Sequence, residues 1–256
     1  MELRNYQKEA VEAIHNNFKN NNESLLVLPT GSGKTNVFSQ IAKDYIEQGK
    51  MVLILAHREE LILQAKNRLK DDFNVIAGIE KAGYDRPNGE KVIIASVFSL
   101  LHRLQDYDKD YFDLIITDEA HHSLANSYRT IYDYFSNAKL LGVTATAFRG
   151  DNKSLEKVYT SGITYSYDIV TGIYEGYLSH VKTKLLDIEL DVSQLRIINN
   201  SHYAEDELDD VLEQAFMDKL GKLLAEEIKD KKTVIFTPSL NSSKTIIREL
   251  KKYNVK

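Results

Sequence analysis

Short runs of apolar residues recur along the chain, and longer stretches with apolar residues three or four positions apart lie between them. Each run is short and ends in small or polar residues, which is typical of a strand buried in a sheet. The longer stretches have the period of an amphipathic helix. We therefore predict an α/β fold with a largely parallel sheet flanked by helices. The predicted strands are Leu25–Leu28, Met51–Leu55, Val92–Ala95, Leu114–Ile116, Leu140–Val143 and Val234–Phe236, and the helical stripes contain Tyr6, Ala10, Ile14 and Phe18, then Val37, Ile41, Tyr45 and Ile46, then Leu61, Ala65 and Leu69.

The pattern changes in the last third of the chain. Asp187–Asp191 alternates like an exposed strand, and Ala204–Lys229 has the spacing of a helix with many surface acids. Thr233–Phe236 predicts a new strand, followed by a helix to Leu250. We place the boundary between a first and a second unit near residues 185–205.

The composition is that of an ordinary globular protein, with 43% of the 256 residues hydrophobic and 28% charged. There is no cysteine, which excludes disulfides, thiolate zinc sites, iron–sulfur clusters and cysteine nucleophiles. No window approaches the roughly 18 apolar residues of a membrane helix, and the first residues lack the apolar core of a secretory signal. We expect a cytoplasmic protein with no membrane partner.

The net charge of −5 is spread evenly along the chain. Residues 1–150 carry 18 Lys and Arg against 20 Asp and Glu, and residues 151–256 carry 15 against 18. A protein that holds nucleic acid through a broad basic face has a different balance. Any nucleic-acid binding must therefore use a few specific side-chain contacts and not a broad basic surface.

The first predicted strand runs directly into Pro29–Thr35 and then into a helix, the order that a phosphate-binding loop requires. Glycines let the backbone N–H groups turn toward an anion, and the helix directs its positive end at it. Lys34 can reach the β- and γ-phosphates, and the Thr35 hydroxyl can bind Mg²⁺. An ordinary Gly/Ser turn is the alternative, and Leu28 stands where the general motif has its first Gly. The predicted phosphate contacts are Thr30, Gly31, Ser32, Gly33, Lys34 and Thr35.

Another apolar strand ends in adjacent acids and imidazoles, Asp118, Glu119, His121 and His122. Asp118 can hold Mg²⁺, and Glu119 can orient and deprotonate the water that attacks a γ-phosphate. The pair could also be a solvated helix start, and the histidines could be a metal pair. Adjacent histidines do not readily close on one ion, however, and no further ligand cluster accompanies them.

Together, the phosphate loop and the Asp-Glu-Ala-His segment resemble two motifs of superfamily 2 helicases and translocases of the DEAH/DExH type. The grouping that this chain resembles most contains restriction-enzyme motor subunits and phage or bacterial DNA-repair helicases. The resemblance implies a RecA-like domain, ATP and Mg²⁺ as cofactors, and catalytic roles for Lys34, Asp118 and Glu119.

Other segments are similar to further motifs of that family, in the same order. Leu3–Ala10 resembles the opening motif whose Gln reads adenine, which places Gln7 at ATP with Arg4 nearby. Two later segments, with Arg58 in the first and Ser96 and Ser99 in the second, resemble motifs that touch the nucleic-acid backbone. Motif III and the acidic motif imply coupling roles for three residues, which are His121, Thr144 and Thr146.

These additional residues also have ordinary interpretations. Gln7 could be a surface glutamine, and Arg58 could cap a helix or pair with a neighbouring glutamate. Ser96 and Ser99 could be helix caps. The threonines of the motif III segment could be plain strand formers.

The segment Val234–Lys244 resembles motif IV, which opens the second RecA-like domain of these motors. Nothing after it resembles motifs V and VI, the second of which carries arginine fingers worth roughly 10³–10⁵ in rate in related systems. We therefore assign 1–190 to a first RecA-like ATP-binding domain and 191–256 to an incomplete second one. We expect a fragment of a longer motor, or else a further chain that supplies the missing half.

The predicted function is an ATP-dependent nucleic-acid helicase or translocase. The resemblance favours DNA over RNA, with backbone contacts that are not sequence-specific. A nucleotide-binding module without efficient turnover, acting as a sensor or scaffold, is the main alternative. A P-loop kinase or GTPase is a further one, although no guanine-reading Asn-Lys-x-Asp segment is present.

Overall fold

A computed structural model of the chain describes residues 2–146, 155–185, 197–198, 202–203, 217–229 and 231–255. The chain forms two compact units, residues 1–181 and 182–256. The assignment of these units to two motor domains stays a prediction.

The first unit is built on a seven-stranded sheet in which every described pair of neighbouring strands is parallel. The strand order is β3-β4-β2-β5-β6-β1-β7, so β6 lies between β1 and β5. The strands are β1 (Glu23–Val27), β2 (Val52–Ala56), β3 (Ala77–Glu80), β4 (Val92–Ser96), β5 (Leu114–Asp118), β6 (Lys139–Thr144) and β7 (Ile163–Ser166).

Helices cover both faces of this sheet and bury its alternating side chains in two layers of core. Three helices pack on one face, where Leu26, Ile54 and Ile116 point toward them. The opposite face, which includes Leu53 and Ile115, packs against two shorter helices. The helices are α1 (Asn5–Asn17), α2 (Lys34–Glu47) and α3 (Glu59–Phe73) on the first face, α4 (Val97–Leu101) and α5 (Asn126–Tyr134) on the second, and α6 (Ile169–Tyr174) after β7.

The predicted fold class is confirmed, and the five predicted strands before residue 150 are all present. Two strands of the sheet were not predicted. β3 has only four residues and includes Gly78 and Glu80, while β7 is an edge strand with Ile163 exposed. Neither has the continuous apolar run of a strand that is covered on both faces.

The described residues of the second unit include two helices, α7 (Met217–Ile228) and α8 (Leu240–Lys252), which pack through Ala225, Ile246 and Leu250. Two strands of two residues each, Ile197–Ile198 and His202–Tyr203, pair in an antiparallel manner. The helix predicted to reach Leu250 is confirmed. The predicted strand at 187–191 and the first part of the predicted helix at 204–229 lie outside the described residues.

The predicted strand Thr233–Phe236 is wrong. These residues have no regular structure, and the side chains of Val234 and Phe236 are 78% and 93% exposed. A strand requires a neighbour to satisfy its backbone N–H and C=O groups, and no described strand pairs with this segment.

No helix within the described ranges has the length and apolar character required to cross a bilayer.

Candidate functional site

The loop between β1 and α2 has the backbone shape that binds phosphate. Gly31 and Gly33 have φ values of 84° and 80°, a left-handed conformation that disfavours residues with a Cβ atom. α2 begins at Lys34, so its first N–H groups point into the loop. A Cβ atom on Gly33 would lie 2.6 Å from Gln7 Nε2, so a glycine is also required there by lack of space.

The Gln7 side chain is buried against this loop and is therefore not a surface glutamine, being 1% exposed. Its Nε2 donates to the Ser32 carbonyl oxygen at 2.8 Å, and its Oε1 accepts from the Arg4 N–H at 3.0 Å. The Tyr6 hydroxyl donates to the same Ser32 oxygen at 2.5 Å. The first turn of α1 thus holds the phosphate loop in place.

The Arg4 side chain is exposed at the outer side of the same turn. Its guanidinium carbon lies 5.1 Å from the centre of the Tyr177 ring, and its Nη1 donates to the Tyr6 hydroxyl at 3.2 Å. Tyr6 in turn stacks on Tyr167 with ring centres 4.1 Å apart. These contacts tie Arg4 to the part of the chain beyond β7.

The acid pair lies where β5 ends. Asp118 is the last residue of the strand, and Glu119 follows with a φ of 55°, which is uncommon for a residue other than glycine. This turn separates the two side chains, and the Glu119 N–H donates to Asp118 Oδ1 at 3.0 Å. His121 Nδ1 lies 3.3 Å from Glu119 Oε2, so the histidine orients that carboxylate.

Burial raises the pKa of the Asp118 carboxyl above its ordinary value, and the neighbouring Glu119 charge raises it further. The Lys34 ammonium and His121 act in the opposite direction but do not cancel the effect. A cation bound at the Asp118 carboxylate would stabilise its charged form against both burial and the repulsion from Glu119. Asp118 and the Thr35 hydroxyl offer oxygen ligands, and the negative charge of the acid pair is not fully compensated by nearby cations. These residues therefore fit Mg²⁺.

The sheet brings the phosphate loop and the acid pair together at the carboxyl ends of its strands, which we call the carboxyl edge. β6 pairs with β1 on one side and with β5 on the other, with Val27 opposite Thr144 and Asp118 opposite Val143. All three strands are parallel, so their carboxyl ends meet at the same edge. The two predicted halves of the site are thus separated by the width of one strand.

Thr144 ends the strand between them, and its side chain is buried. Its carbonyl oxygen accepts from the Leu28 N–H at 3.0 Å, directly before the phosphate loop. Its hydroxyl lies 3.4 Å from the Thr146 N–H, just past the strand end. Thr144 is therefore a strand residue in contact with the loop, whereas Thr146 is not in the strand.

Three histidines meet beside the acid pair. The His122 ring lies 4.5 Å from His57 and 4.1 Å from His121, between the centres of the rings. Burial lowers the pKa of His57 and of His122, and the other cationic groups nearby lower both further. Among the described residues, no group of three His, Cys, Asp or Glu side chains is arranged to hold a metal ion. The metal-pair interpretation of the histidines therefore has no support.

The predicted nucleic-acid contacts lie at the same edge, farther along the sheet. Arg58 and Ser96 occupy the positions before α3 and α4, but neither side chain makes a capping hydrogen bond. Ser99 Oγ accepts from the Ala82 N–H at 3.2 Å. The interpretation of the two serines as helix caps is thus not supported by their side-chain contacts.

A buried hydroxyl network beneath the acid pair was missed in the sequence. The Tyr132 hydroxyl lies 2.7 Å from Thr117 Oγ1 and 3.0 Å from Ser123 Oγ, which is 2.8 Å from the Tyr159 hydroxyl. Gly142 is required beside it, because a Cβ atom there would lie 2.3 Å from Tyr159 Cζ. No short motif marks this network, since its members come from four separate segments.

Comparison with known proteins connects this geometry to a family. A family model described as type III restriction enzyme, res subunit, matches residues 1–149. The chain is 39% identical over 210 residues to the "Putative ATP-dependent helicase IRC3" of Saccharomyces cerevisiae, covering 76% of this chain and 30% of that protein. It is 32% identical over 192 residues to the DNA 3'-5' translocase XPB2 of Sulfurisphaera tokodaii, covering 74% and 41% respectively.

Two solved structures share the fold. The fragment structure of a "putative HsdR subunit" of a type I restriction enzyme from Vibrio vulnificus has a TM-score of 0.67 at 22% identity, covering 98% of this chain and 45% of that one. The Hef helicase domain of Pyrococcus furiosus has a TM-score of 0.57 at 24% identity, covering 98% and 56%.

The parallel sheet, with a phosphate loop and an acid pair at one edge, defines a P-loop domain of the RecA-like class. Within that class, the chain belongs to the superfamily 2 helicases related to restriction-enzyme motor subunits, in the type III restriction enzyme res subunit family. The chain spans less than half of the length of the curated relatives it matches.

Proposed function

We propose that this chain is part of an ATP-dependent helicase or translocase that moves on nucleic acid, with DNA favoured over RNA. The observation that supports this most directly is the pairing of β6 with both β1 and β5. It puts Lys34 and the Asp118–Glu119 pair on either side of one strand end, so that a phosphate-holding lysine and metal-binding and water-orienting acids can act on one nucleotide.

In this proposal the chain's own residues have separate roles at the nucleotide. The loop N–H groups and Lys34 hold the phosphates. Gln7 contacts adenine from the first turn of α1 after exchanging one of its present hydrogen bonds, since its side chain is buried in the free chain. Thr35 and Asp118 hold Mg²⁺, which supplies charge neutralisation at the phosphates when it is bound. Glu119 orients the attacking water and accepts its proton, while His121 keeps the Glu119 carboxylate in position.

Contact with nucleic acid is proposed through Arg58, Ser96 and Ser99, with His121, Thr144 and Thr146 coupling that surface to the nucleotide. The relative XPB2 is a DNA 3'-5' translocase, which supports DNA as the substrate, as does a type ISP restriction-modification enzyme solved with a DNA substrate mimic. Because the net charge is −5, we expect few phosphate contacts and a shallow salt dependence, about one unit of slope per neutralised phosphate.

The two compact units, residues 1–181 and 182–256, are proposed to correspond to a first RecA-like domain and part of a second, for which the sequence predicts residues 1–190 and 191–256. The sequence contains no segment that resembles motifs V and VI. We therefore expect this chain by itself to bind ATP with Mg²⁺ and to hydrolyse it slowly.

The test is ATP hydrolysis by the full-length gene product, with and without single-stranded and duplex DNA and RNA. We expect stimulation by nucleic acid and its loss in Lys34→Ala and Glu119→Gln. Lys43→Ala is the matched control, since Lys43 is also on α2 but is half-buried, outside the phosphate loop, with its Nζ 3.8 Å from Glu47 Oε1. Hydrolysis that ignores both DNA and RNA contradicts a motor. Tight ATP binding without turnover would instead favour a nucleotide-binding sensor or scaffold.

A further inference from the structure

One aromatic side chain at the carboxyl edge of the sheet takes no part in the core. α4 begins directly after β4, and its Val97 and Leu100 side chains are 2% and 0% exposed. Phe98, between them, is 69% exposed. Burying a phenylalanine side chain would contribute roughly 1.5–3 kcal/mol to stability. Among the described residues, no packing contact provides this stabilisation for Phe98, whose ring stays in solvent.

The position of Phe98 is set by the strands on either side of β4. Ala56 of β2 is opposite Ser96, so Arg58 follows on one side of α4. Glu80 of β3 is opposite Ala95 on the other side. The loop after β3 is attached to α4 through the hydrogen bond from the Ala82 N–H to Ser99 Oγ.

The groups around Phe98 suit the backbone of a polynucleotide. The Arg58 guanidinium makes no ion pair within the ranges that the structure describes. Ser96 Oγ makes no capping bond, and Ser99 Oγ accepts a hydrogen bond, which leaves its own proton available for donation. A cation and hydroxyl donors beside an aromatic face form the combination that binds phosphates and a stacked base together.

We propose that Phe98 is a base-stacking contact for single-stranded nucleic acid at the carboxyl edge of β4. This inference rests on the proposed function, because it requires nucleic acid to pass over Arg58, Ser96 and Ser99. It also names the substrate class. In a duplex the base faces are already stacked on one another, whereas an unpaired strand exposes them to the ring.

The test measures binding by fluorescence anisotropy at low salt, using the full chain. The probes are an oligothymidylate of about 20 nucleotides, longer than the roughly 4–16 nucleotides of known single-strand sites, a duplex, and an abasic strand of equal length. Phe98→Ala should weaken oligothymidylate binding roughly 5- to 150-fold, the loss typical of one stacked base. Phe98→Tyr, which keeps an aromatic face, should restore it.

The abasic strand separates stacking from other effects. Phe98→Ala should leave abasic and duplex affinities within about twofold, because neither presents an accessible base. Arg58→Ala should weaken all three probes, since it removes a phosphate contact. Ile76→Ala is the matched control. Ile76 is an apolar side chain that is 74% exposed, but it precedes β3 and so lies at the amino ends of the strands.

Two results would overturn the inference in distinguishable ways. If wild-type protein binds the oligothymidylate and Phe98→Ala binds it equally well, the stacking contact is wrong while the proposed function stands. A Phe98 surface that contacts another protein would give that result. If wild-type protein binds none of the probes, the proposed function fails and the inference fails with it. An equal loss on the abasic strand would likewise contradict stacking.

Discussion

The Gln7 side chain and Gly33 occupy adjoining space so closely that a Cβ atom on Gly33 would lie 2.6 Å from Gln7 Nε2. The same amide donates to the Ser32 carbonyl oxygen. The first turn of α1 and the phosphate loop are therefore fitted to each other, and a change in either should be felt by the other.

Gly33→Ala should lower the free energy of unfolding by about 2–4 kcal/mol and abolish ATP binding. The left-handed backbone contributes roughly 1–2 kcal/mol and the collision with Gln7 adds to it. Gly49→Ala is the control, since Gly49 has a φ of 84° with nothing within 4 Å of its Cβ position, and it should show the backbone cost alone. Urea denaturation and calorimetric ATP titration measure both effects. Equal losses in the two variants would refute the fit.

Gly142→Ala should lower the free energy of unfolding by about 1–3 kcal/mol, because the added methyl group meets the fully buried Tyr159 ring. In the double variant with Tyr159→Ala the collision is removed. The loss of unfolding free energy in the double variant should therefore be smaller than the sum of the losses in the two single variants. A double-mutant cycle in urea checks this coupling. Additive costs would mean that the ring moves aside without a penalty.

Asp118→Asn should raise the free energy of unfolding by about 1 kcal/mol while abolishing ATP hydrolysis. Burial and Glu119 raise the pKa of Asp118, so the folded state holds the neutral form more readily than the unfolded state does. The charged carboxylate therefore destabilises the fold above the folded-state pKa, and this cost vanishes below the unfolded value of about 3.9.

The gain from Asp118→Asn should consequently be present at pH 7 and disappear as the pH falls toward 4. Thermal melts across that range measure it. Asp85→Asn, an exposed carboxylate on the loop after β3, should show no gain at any pH. A gain that grows on acidification would contradict the sign of the Asp118 pKa shift.

Arg103→Ala should lower the free energy of unfolding by about 3–5 kcal/mol, because it leaves the buried Glu80 carboxylate without its cation. The Tyr107 hydroxyl, 2.7 Å from Glu80 Oε2, is then its remaining partner. Arg86→Ala breaks an exposed pair with Asp106 and should cost at most about 1 kcal/mol. Chemical denaturation of both variants measures the two losses in free energy of unfolding. Similar small losses would mean that water reaches the Glu80 carboxylate.

The strands that carry the site were predictable because both faces of each are covered, which demands a continuous apolar run. The same reasoning failed at Thr233–Phe236, since an apolar run specifies burial but not the neighbour that completes a strand. β3 was missed for the converse reason. Glu80 looks like a surface residue in the sequence but is buried, where Arg103 and Tyr107, 23 and 27 residues farther along the chain, pair with its carboxylate.

The candidate site divides in the same way. Lys34 and Asp118 belong to short local patterns whose chemistry can be stated from the residues alone. The contact of Gln7 with the loop and the hydroxyl network of Tyr159 depend on packing between distant segments. The motif singled out Gln7 but not its buried contact with the loop. The residues of the hydroxyl network belong to no motif, because their types are common in cores and on surfaces alike.

A residue far beyond the region that the family model matches lies beside the phosphate loop: Leu178 Cδ2 is 3.6 Å from where a Cβ atom of Gly31 would be. β7, which flanks β1, and Tyr167, which stacks on Tyr6, also follow that region. A polypeptide cut after residue 149 would keep every nucleotide motif yet expose an edge of β1 and lose the Leu178 contact beside the loop. The smallest autonomous ATP-binding piece must therefore extend past Leu178, and the limits of sequence similarity mark a family rather than a folding unit.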